Sequence, residues 1–350
     1  MSKPTYRAAV IGLGMIGGSD PVSADALGQK VENMDGTHAA AYQRNARVQL
    51  VAGATRDLGR RQRFEARTGA KTYADWREMI ARESIDIVSI ATYSPAHAEI
   101  ATGCAERGIP VIYCEKPVAT RIADGERMLE ACRRSQTLLL FNHQRRFDPV
   151  HRRLQRAIAD GVLGDLLTAH MQWGTGRLGN VGTHVLDALA MLTSRRIQAV
   201  SATLDLAGKP DCRGSDFQDP GGWGTVRLDG GLMGTVNAPD FVKGQSFHTE
   251  IVGTKGRALV KGMTASIEHA DGRIENWSAA AAADGLTSMD RAVNDILEYL
   301  DQKAPFPCTP EDAVHTLEVI VAFHASHARN SAWVNLPLTG QDREIEVKTG

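Results

Sequence analysis

The sequence predicts an α/β protein in which a doubly wound parallel sheet is followed by an α+β domain. Short apolar runs alternate with helical patterns in the first half, and a glycine-rich turn follows the first run. In the second half, strands are grouped before helices. At 350 residues the chain is long enough for two domains with separate cores. We expect the division to fall at residues 1–145 and 146–350.

The composition excludes several classes of protein. The chain is 43% hydrophobic and 23% charged, which argues against disordered and collagen-like sequences. Its net charge of -1 creates no field that would attract nucleic acid or an anionic membrane. Apolar runs are too short to span a bilayer, and the N-terminus lacks the pattern of a signal peptide. We therefore expect a cytoplasmic protein without nucleic-acid or membrane partners.

The first half contains five strand candidates separated by helical segments. Continuously apolar runs of this length suit strands that are buried on both faces. Strands that alternate with helices form a parallel sheet through right-handed crossovers, and ligands bind beyond the carboxyl ends of such strands. The candidates are Arg7–Ile11, Val48–Ala54, Ile85–Ala91, Pro110–Cys114 and Thr137–Phe141.

A glycine motif directly follows the first strand. Its sequence is Gly12-Leu13-Gly14-Met15-Ile16-Gly17, a G-x-G-x-x-G pattern at the start of a βα array. In this context Gly12 permits a tight turn, Gly14 lets the backbone approach a pyrophosphate, and Gly17 allows close helix–strand packing. The motif predicts dinucleotide binding.

The end of the second strand favours NADP over NAD. An NAD site usually has a carboxylate here for the ribose hydroxyls, whereas a nearby arginine accommodates a 2′-phosphate. Thr55 stands at the position of the carboxylate, and Arg56 follows it. Two alternatives remain open, namely that Asp57 reaches the ribose and that Arg56 is simply solvated.

The segment Gly18–Gly36 makes the distance from the glycine motif to the second strand almost twice the ~20 residues expected. Turn signals at both of its ends indicate an insertion at the cofactor-facing end of the sheet. It is either a tolerated surface loop or a flap over cofactor or substrate.

A lysine lies at the end of the fourth strand, within Cys114-Glu115-Lys116-Pro117, and Ala91–His97 follows the third strand. With the glycine motif, this E-K-P tripeptide resembles the Gfo/Idh/MocA oxidoreductase family, named for glucose–fructose oxidoreductase and inositol dehydrogenase. The resemblance covers nearly the whole chain. It continues through residues 142–149, 161–166, 182–187 and 250–256.

The resemblance implies an N-terminal Rossmann domain and a second domain with an open, mostly antiparallel sheet, used for assembly into a homodimer or homotetramer. The residues support this second domain independently. Turn signals lie at 229–230, 254–256 and 271–272, and residues 309–312 form a helix start with an N-cap, a proline and acidic residues.

The resemblance also implies an NAD(P)-dependent oxidation of a secondary hydroxyl in a sugar, sugar acid or cyclitol. Lys116 and His184 match the two residues that handle the hydroxyl proton in the family. Asn180 stands where inositol dehydrogenases have an aspartate, and an amide cannot accept that proton. His184 then acts alone or through water.

Further site residues follow from the same match. Arg145 corresponds to a polyol contact, and Trp173 offers either a ring face for the sugar or a core side chain. We expect Asp187 to orient or cap and Arg146 to form a structural ion pair. His97 lies near the nicotinamide or supports the following helix. Thr92, Glu115 and Lys116 are also expected to bind the cofactor, together with residues 12–17. No metal ion is expected.

Two other functions remain open. One is chemistry in which the nicotinamide is reduced and reoxidised within each turnover, as in NAD-retaining glycosidases. The other is a non-catalytic nucleotide-binding regulator, which would be expected to have lost Lys116 or His184, and both are present.

Overall fold

The computed structural model describes residues 4–207, 214–239, 247–278, 284–302 and 306–349. It confirms the predicted fold class. The chain forms two compact units. The first contains residues 1–119, 123–142 and 286–311, and the second contains residues 120–122, 143–285 and 312–350.

The first unit is built on a parallel sheet of six strands in the order β3-β2-β1-β4-β5-β6. The five expected strands are present, and the short edge strand β3 was not anticipated. Every residue of the central strands β4 and β5 is buried, as expected for strands covered on both faces. The strands are β1 (Tyr6–Ile11), β2 (Val48–Ala54), β3 (Lys71–Tyr73), β4 (Ile87–Ile90), β5 (Val111–Cys114) and β6 (Leu138–Phe141).

Helices connect these strands, and several begin at side-chain caps. Thr37, Asp57 and Asp75 each accept a hydrogen bond from a backbone N–H in the first turn of the helix that follows them. The helices are α1 (Met15–Gly18), α2 (Pro21–Asp25), α3 (His38–Arg44), α4 (Leu58–Thr68), α5 (Trp76–Arg82), α6 (His97–Glu106) and α7 (Ile122–Ser135).

One helix of the first unit comes from much later in the chain. The expected division at residue 145 assigned segment 286–311 to the second domain, but its contacts place it with the first unit. Later in the sequence, α10 (Ser288–Gln302) packs on α3, and Arg44 pairs with Asp290 at 3.1 Å. A capping box joins Thr287 and Asp290 at its start.

The insertion Gly18–Gly36 is anchored at both ends. Asp20 is 1% exposed, and its two carboxylate oxygens accept hydrogen bonds of 2.7 and 2.8 Å from Arg63 on α4. These hydrogen bonds lower the pKa of Asp20 to about 2. At the other end, Asp35 accepts a hydrogen bond from the backbone N–H of Ser288. Both ends of the segment are therefore fixed by hydrogen bonds to buried or capping groups.

The second unit contains a nine-stranded, mostly antiparallel sheet in the order β14-β13-β12-β11-β7-β10-β9-β8-β15. Among the described strand pairs, β7 and β10 are parallel and the others antiparallel. The predicted turns join β9 to β10, β11 to β12 and β13 to β14. The strands are β7 (Leu166–Gln172), β8 (Ile197–Asp205), β9 (Gly221–Leu228), β10 (Met233–Ala238), β11 (His248–Gly253), β12 (Gly256–Lys261), β13 (Thr264–His269), β14 (Ile274–Ser278) and β15 (Val334–Asn335).

The remaining helices are α8 (Pro149–Ala159), α9 (Thr183–Thr193) and α11 (Pro310–Ala328). The predicted helix start at Thr309-Pro310 is confirmed, and Leu317, Ile320 and Phe323 are buried. Within the described ranges, no helix combines the length and the apolar character that a membrane crossing needs.

Candidate active site

The glycine motif lies at the carboxyl edge of the parallel sheet. Gly12 has φ +97°, which favours glycine, and a Cβ there would overlap the carbonyl of Ala91. A Cβ on Gly17 would overlap the carbonyl oxygen of Gly12. At Gly14 the nearest atom to an added Cβ is the Arg60 Nη1, 3.9 Å away. Gly12 and Gly17 are therefore required by the protein's own packing. Gly14, in contrast, borders open space that fits a dinucleotide pyrophosphate.

The other residues of the motif differ in exposure. Met15 and Ile16 are half-buried in the first turn of α1. Leu13 is fully buried, with its side chain against Gly53. Leu13 can therefore offer only its backbone to a cofactor.

Basic side chains surround the end of β2. Thr55 is half-buried and Arg56 exposed. The Arg61 Nη1 donates to the carbonyls of Thr55 and Arg56 at 2.8 and 2.9 Å. The Asp57 Oδ1 accepts the Arg60 N–H at 2.8 Å as the N-cap of α4. This oxygen is therefore engaged in capping, while guanidinium groups flank the strand end.

Backbone hydrogen bonds align the ends of the neighbouring strands with the glycine turn. The N–H groups of Gly12, Ala91 and Glu115 donate to the carbonyls of Ala54, Ile11 and Ile90, respectively, at 2.7–2.9 Å. Within the first unit, the glycine motif, Thr92 and the E-K-P segment thus lie along one edge of the sheet.

Lys116 is half-buried and follows a buried carboxylate. Glu115 is 7% exposed, and its Oε1 accepts the Asn142 Nδ2–H at 2.7 Å. The same oxygen lies 3.1 Å from the His38 Nε2, and the Oε2 accepts the Lys116 N–H at 3.2 Å. Burial alone would raise the pKa of Glu115, but His38 and Lys116 hold it below its usual value. Glu115 is therefore a buried anion next to the backbone of Lys116.

His97 lies between the backbone segments that carry Thr92 and Pro117. Its side chain is fully buried, with Nδ1 3.0 Å from the Pro117 carbonyl and Nε2 3.0 Å from the Thr92 carbonyl. Of the two alternatives for His97, this burial favours the supporting role over a contact with the nicotinamide. The ring instead ties Thr92, which is half-buried, to the turn that follows Lys116.

In the second unit, a π-helical turn precedes His184. Residues 178–182 form this turn, which contains Asn180, and α9 begins at Thr183. The backbone N–H groups of Gly179 and Asn180 donate to the Asp219 carboxylate at 2.6 and 2.7 Å. Asn180 is 8% exposed and His184 is half-buried. Asp219 belongs to no recognisable motif, so sequence reasoning missed it.

His184 packs beside a buried charged cluster of the same unit. The rings of His143 and His184 are edge-to-face, with centroids 5.9 Å apart. Asp187 is fully buried and accepts three hydrogen bonds of 2.8–3.0 Å from Arg146. Burial would raise the pKa of Asp187, but His143 and Arg146 hold it below its usual value. Asp187 thus orients Arg146, and the pair anchors the start of α9.

The two proposed sugar contacts differ. Arg145 is half-buried, with its guanidinium 5.6 Å from the centre of the Phe247 ring. Trp173 is fully buried, and its Nε1–H donates to the Gly176 carbonyl at 2.7 Å. The burial and the engaged indole N–H favour the core side chain among the two alternatives for Trp173.

Comparison with known proteins identifies both halves. A family model described as an oxidoreductase family with an NAD-binding Rossmann fold (GFO_IDH_MocA) matches residues 6–143. The GFO/IDH/MocA C-terminal domain model matches residues 168–259.

The curated proteins that this chain resembles include the MocA protein and dehydrogenases of sugars and cyclitols. The rhizopine catabolism protein MocA of Rhizobium meliloti is 26% identical over 276 residues, covering 73% of this chain and 80% of the relative. Inositol 2-dehydrogenase 1 of Saccharopolyspora erythraea is 31% identical over 47% of this chain and 45% of its own length. Levoglucosan dehydrogenase of Pseudarthrobacter phenanthrenivorans is 29% identical over 60% of this chain and 62% of its own length. The last two matches span less than two thirds of those enzymes.

Solved structures share the fold along almost the whole chain. A levoglucosan dehydrogenase in complex with NADH and levoglucosan gives a TM-score of 0.80 at 20% identity, covering 95% of this chain and 100% of that one. An oxidoreductase from Sinorhizobium meliloti gives 0.79 at 19% identity, with the same coverage. At this level of identity the likeness concerns the fold.

Proposed function

The chain belongs to the Gfo/Idh/MocA family of NAD-binding oxidoreductases, and on this basis we propose that it oxidises a secondary hydroxyl of a sugar, sugar acid or cyclitol, or reduces the matching ketone. The observation that carries the proposal is Lys116, half-buried at the sheet edge that holds the glycine turn, with its backbone N–H donating to the buried Glu115 carboxylate. A lysine ammonium at this edge suits a reacting oxygen better than it suits packing.

The proton is handled by two side chains in this proposal. Lys116 donates a hydrogen bond to the hydroxyl or carbonyl oxygen, and His184 accepts the hydroxyl proton because a neutral imidazole is a base near neutral pH. Asn180 holds a substrate hydroxyl and takes no proton. A bound nicotinamide would supply the hydride acceptor.

Residues of the first unit would hold the cofactor. The backbone of residues 12–17 would face the pyrophosphate, and Thr55 and Arg56 the adenosine ribose. Thr92 and Lys116 would face the nicotinamide end. The open space at Gly14 supports this arrangement.

For the substrate class, the relatives provide the support. Inositol, levoglucosan and D-apiose are named in the dehydrogenases that this chain resembles. Arg145 is proposed as a substrate contact. We further propose a homodimer or homotetramer, as the family resemblance implies, and a cytoplasmic location.

The experiment that tests this function is a panel of polyols, aldoses and sugar acids, scored by nicotinamide absorbance with NAD and with NADP. We expect substrate-dependent reduction of the added cofactor by a compound of this class. Reduction of a nicotinamide that stays bound through purification would instead favour the retained-cofactor chemistry. Absence of turnover across the panel, with dinucleotide binding intact, would favour the regulator.

We propose NADP rather than NAD as the preferred cofactor. Arg56 follows Thr55 at the strand end, Arg60 lies beside Gly14, and one Asp57 oxygen is engaged in capping. The levoglucosan dehydrogenase complex is named with NADH and so does not support a preference for NADP. The proposed preference for NADP rests instead on the arginines of this chain.

We expect NADPH to bind about tenfold or more tightly than NADH, since a charge-assisted hydrogen bond contributes about 1.5–3 kcal/mol. Arg56→Ala should remove the difference in a fluorescence titration. Arg77→Ala is the matched control, because Arg77 pairs with Glu99 on the surface of α5 and α6. Equal affinities of the wild type for the two cofactors would refute the preference.

A further inference from the structure

We propose that His38 is a positioning residue for Lys116, acting through a buried hydrogen-bonded chain that ends on the Glu115 carboxylate. The inference deepens the proposed function, on which it rests for the role of Lys116. His38 is the first residue of α3, where the insertion ends, and it is separated from Glu115 by 77 positions in the sequence.

The Glu115 carboxylate is the centre of this arrangement. Its Oε1 faces the His38 Nε2 at 3.1 Å and the Asn142 Nδ2 at 2.7 Å. Its Oε2 accepts the Lys116 backbone N–H at 3.2 Å. Three groups from α3, the end of β6 and the E-K-P segment therefore meet on one carboxylate. Moving the carboxylate would move the backbone that carries Lys116.

With His38 as a neutral imidazole, the ionised carboxylate sets the direction of every hydrogen bond in the chain. A carboxylate only accepts, so the His38 Nε2 must carry its proton. In a neutral imidazole the Nδ1 then accepts, from the Ser89 hydroxyl 2.8 Å away. The Ser89 Oγ in turn accepts from the Tyr42 hydroxyl at 2.6 Å. Tyr42, Ser89, His38 and Glu115 thus form one oriented chain.

This chain fixes position and does not conduct protons to solvent. Tyr42 and Ser89 are fully buried and His38 is 1% exposed. Burial raises the pKa of Tyr42, so its hydroxyl stays protonated and closes the chain inside the core. A fully satisfied buried network of this kind rigidifies the groups that it joins.

The ionisable groups that face Glu115 come from several elements. His38 approaches from α3 and Lys116 from the same turn, and both favour the anion. His97, at the start of α6, interacts with its charge. Tyr113 and Cys114 on β5 also interact with its charge, and burial raises the pKa of both groups, so that they stay neutral. Removing the His38 donor therefore leaves a buried anion with weaker support, and its pKa should rise.

Two variants of His38 distinguish the hydrogen bond made by its Nε2 from the one made by its Nδ1. Glutamine can place an amide N–H near the Nε2 position and donate to Glu115, whereas asparagine is shorter and reaches only toward the Nδ1 position. We expect H38Q to retain kcat within about threefold. We expect H38N to lower kcat about tenfold with little change in KM. In H38N, Glu115 should also become protonated at a higher pH, so the acidic limb of the kcat/KM profile should move to higher pH, and H38Q should leave that limb in place.

Lys116 can also be followed without any substrate. Its rate of acylation by an amine-directed reagent, read by peptide mass spectrometry, should change in H38N and remain at the wild-type value in H38Q. Melting temperature and dinucleotide titration establish that each variant folds. If H38N does not fold, Ser89→Ala takes its place, because it removes the hydroxyl that faces the His38 Nδ1 at 2.8 Å and so loosens the ring that holds Glu115.

The outcomes are distinct. Equal pH profiles and equal Lys116 labelling in H38N and H38Q would overturn the positioning role of His38. Wild-type turnover in Lys116→Ala would overturn the proposed function instead. Even if Lys116→Ala retained wild-type turnover, a difference in Lys116 labelling between H38N and H38Q would still show that His38 positions Lys116.

Discussion

Lys116→Ala is expected to lower kcat by ~10²-fold or more, because it removes the group that donates to the reacting oxygen. Dinucleotide affinity should change little, since the glycine turn and the end of β2 are untouched. Steady-state kinetics and a fluorescence titration on the same preparation separate the two effects. Lys71→Ala is the matched control, because Lys71 is an exposed lysine that pairs with Glu83 on the surface.

His184→Ala should give a loss of similar size, since it removes the proposed proton acceptor. His170→Ala provides the control for a histidine of the same unit, because His170 lies in β7 and its Nδ1 faces the Thr235 hydroxyl. Wild-type turnover in both Lys116→Ala and His184→Ala would eliminate the assignment of these two residues to the proton.

The second large effect is expected at the glycine turn, where two substitutions of equal size should act differently. Gly17→Ala places a Cβ against the backbone carbonyl of Gly12, and backbone atoms there cannot move aside without disturbing β1. We expect a loss of about 3 kcal/mol in the free energy of unfolding, the upper part of the range for overpacking. Urea denaturation followed by circular dichroism measures it.

Gly14→Ala should leave the stability nearly unchanged, because an added Cβ meets no atom closer than 3.9 Å. The dinucleotide affinity should nevertheless fall by about tenfold or more, since the methyl group occupies space next to the pyrophosphate. Unchanged affinity in a folded Gly14→Ala protein would contradict the placement of the cofactor at this turn.

Sequence periodicity was sufficient to locate most of the sheet of the first unit. Strands β1 and β2 lie where the apolar runs Arg7–Ile11 and Val48–Ala54 place them. Strand β3 has three residues and one exposed end, so it carries too little apolar pattern to be recognised. The start of α10 did carry a signal, the capping pair Thr287 and Asp290, but a cap does not reveal which unit a helix joins.

The site was harder to predict than the fold, because motifs identify residues without their partners. Nothing in the local sequence of His38 indicates that its ring meets Glu115, since the approach depends on how α3 packs on β1, β2 and α10. His97 and Trp173 are both fully buried, although their residue types suit binding and core packing equally well. A sequence pattern gives the chemistry of such side chains but not their exposure.

Helix α10 sets the order in which the nucleotide-binding unit can be completed during synthesis. The last strand of its sheet, β6, ends at Phe141, whereas α10 begins at Ser288. At the usual rate of translation, the ribosome needs on the order of ten seconds to make the chain between them. In the finished protein, Val293, Ile296 and Leu297 of α10 are buried. During that interval the surface on which they will pack is exposed, because α10 has not yet been made. A fragment that stops after β6 would remain permanently in this state, so an isolated nucleotide-binding module of this protein has to carry residues 286–311 as well.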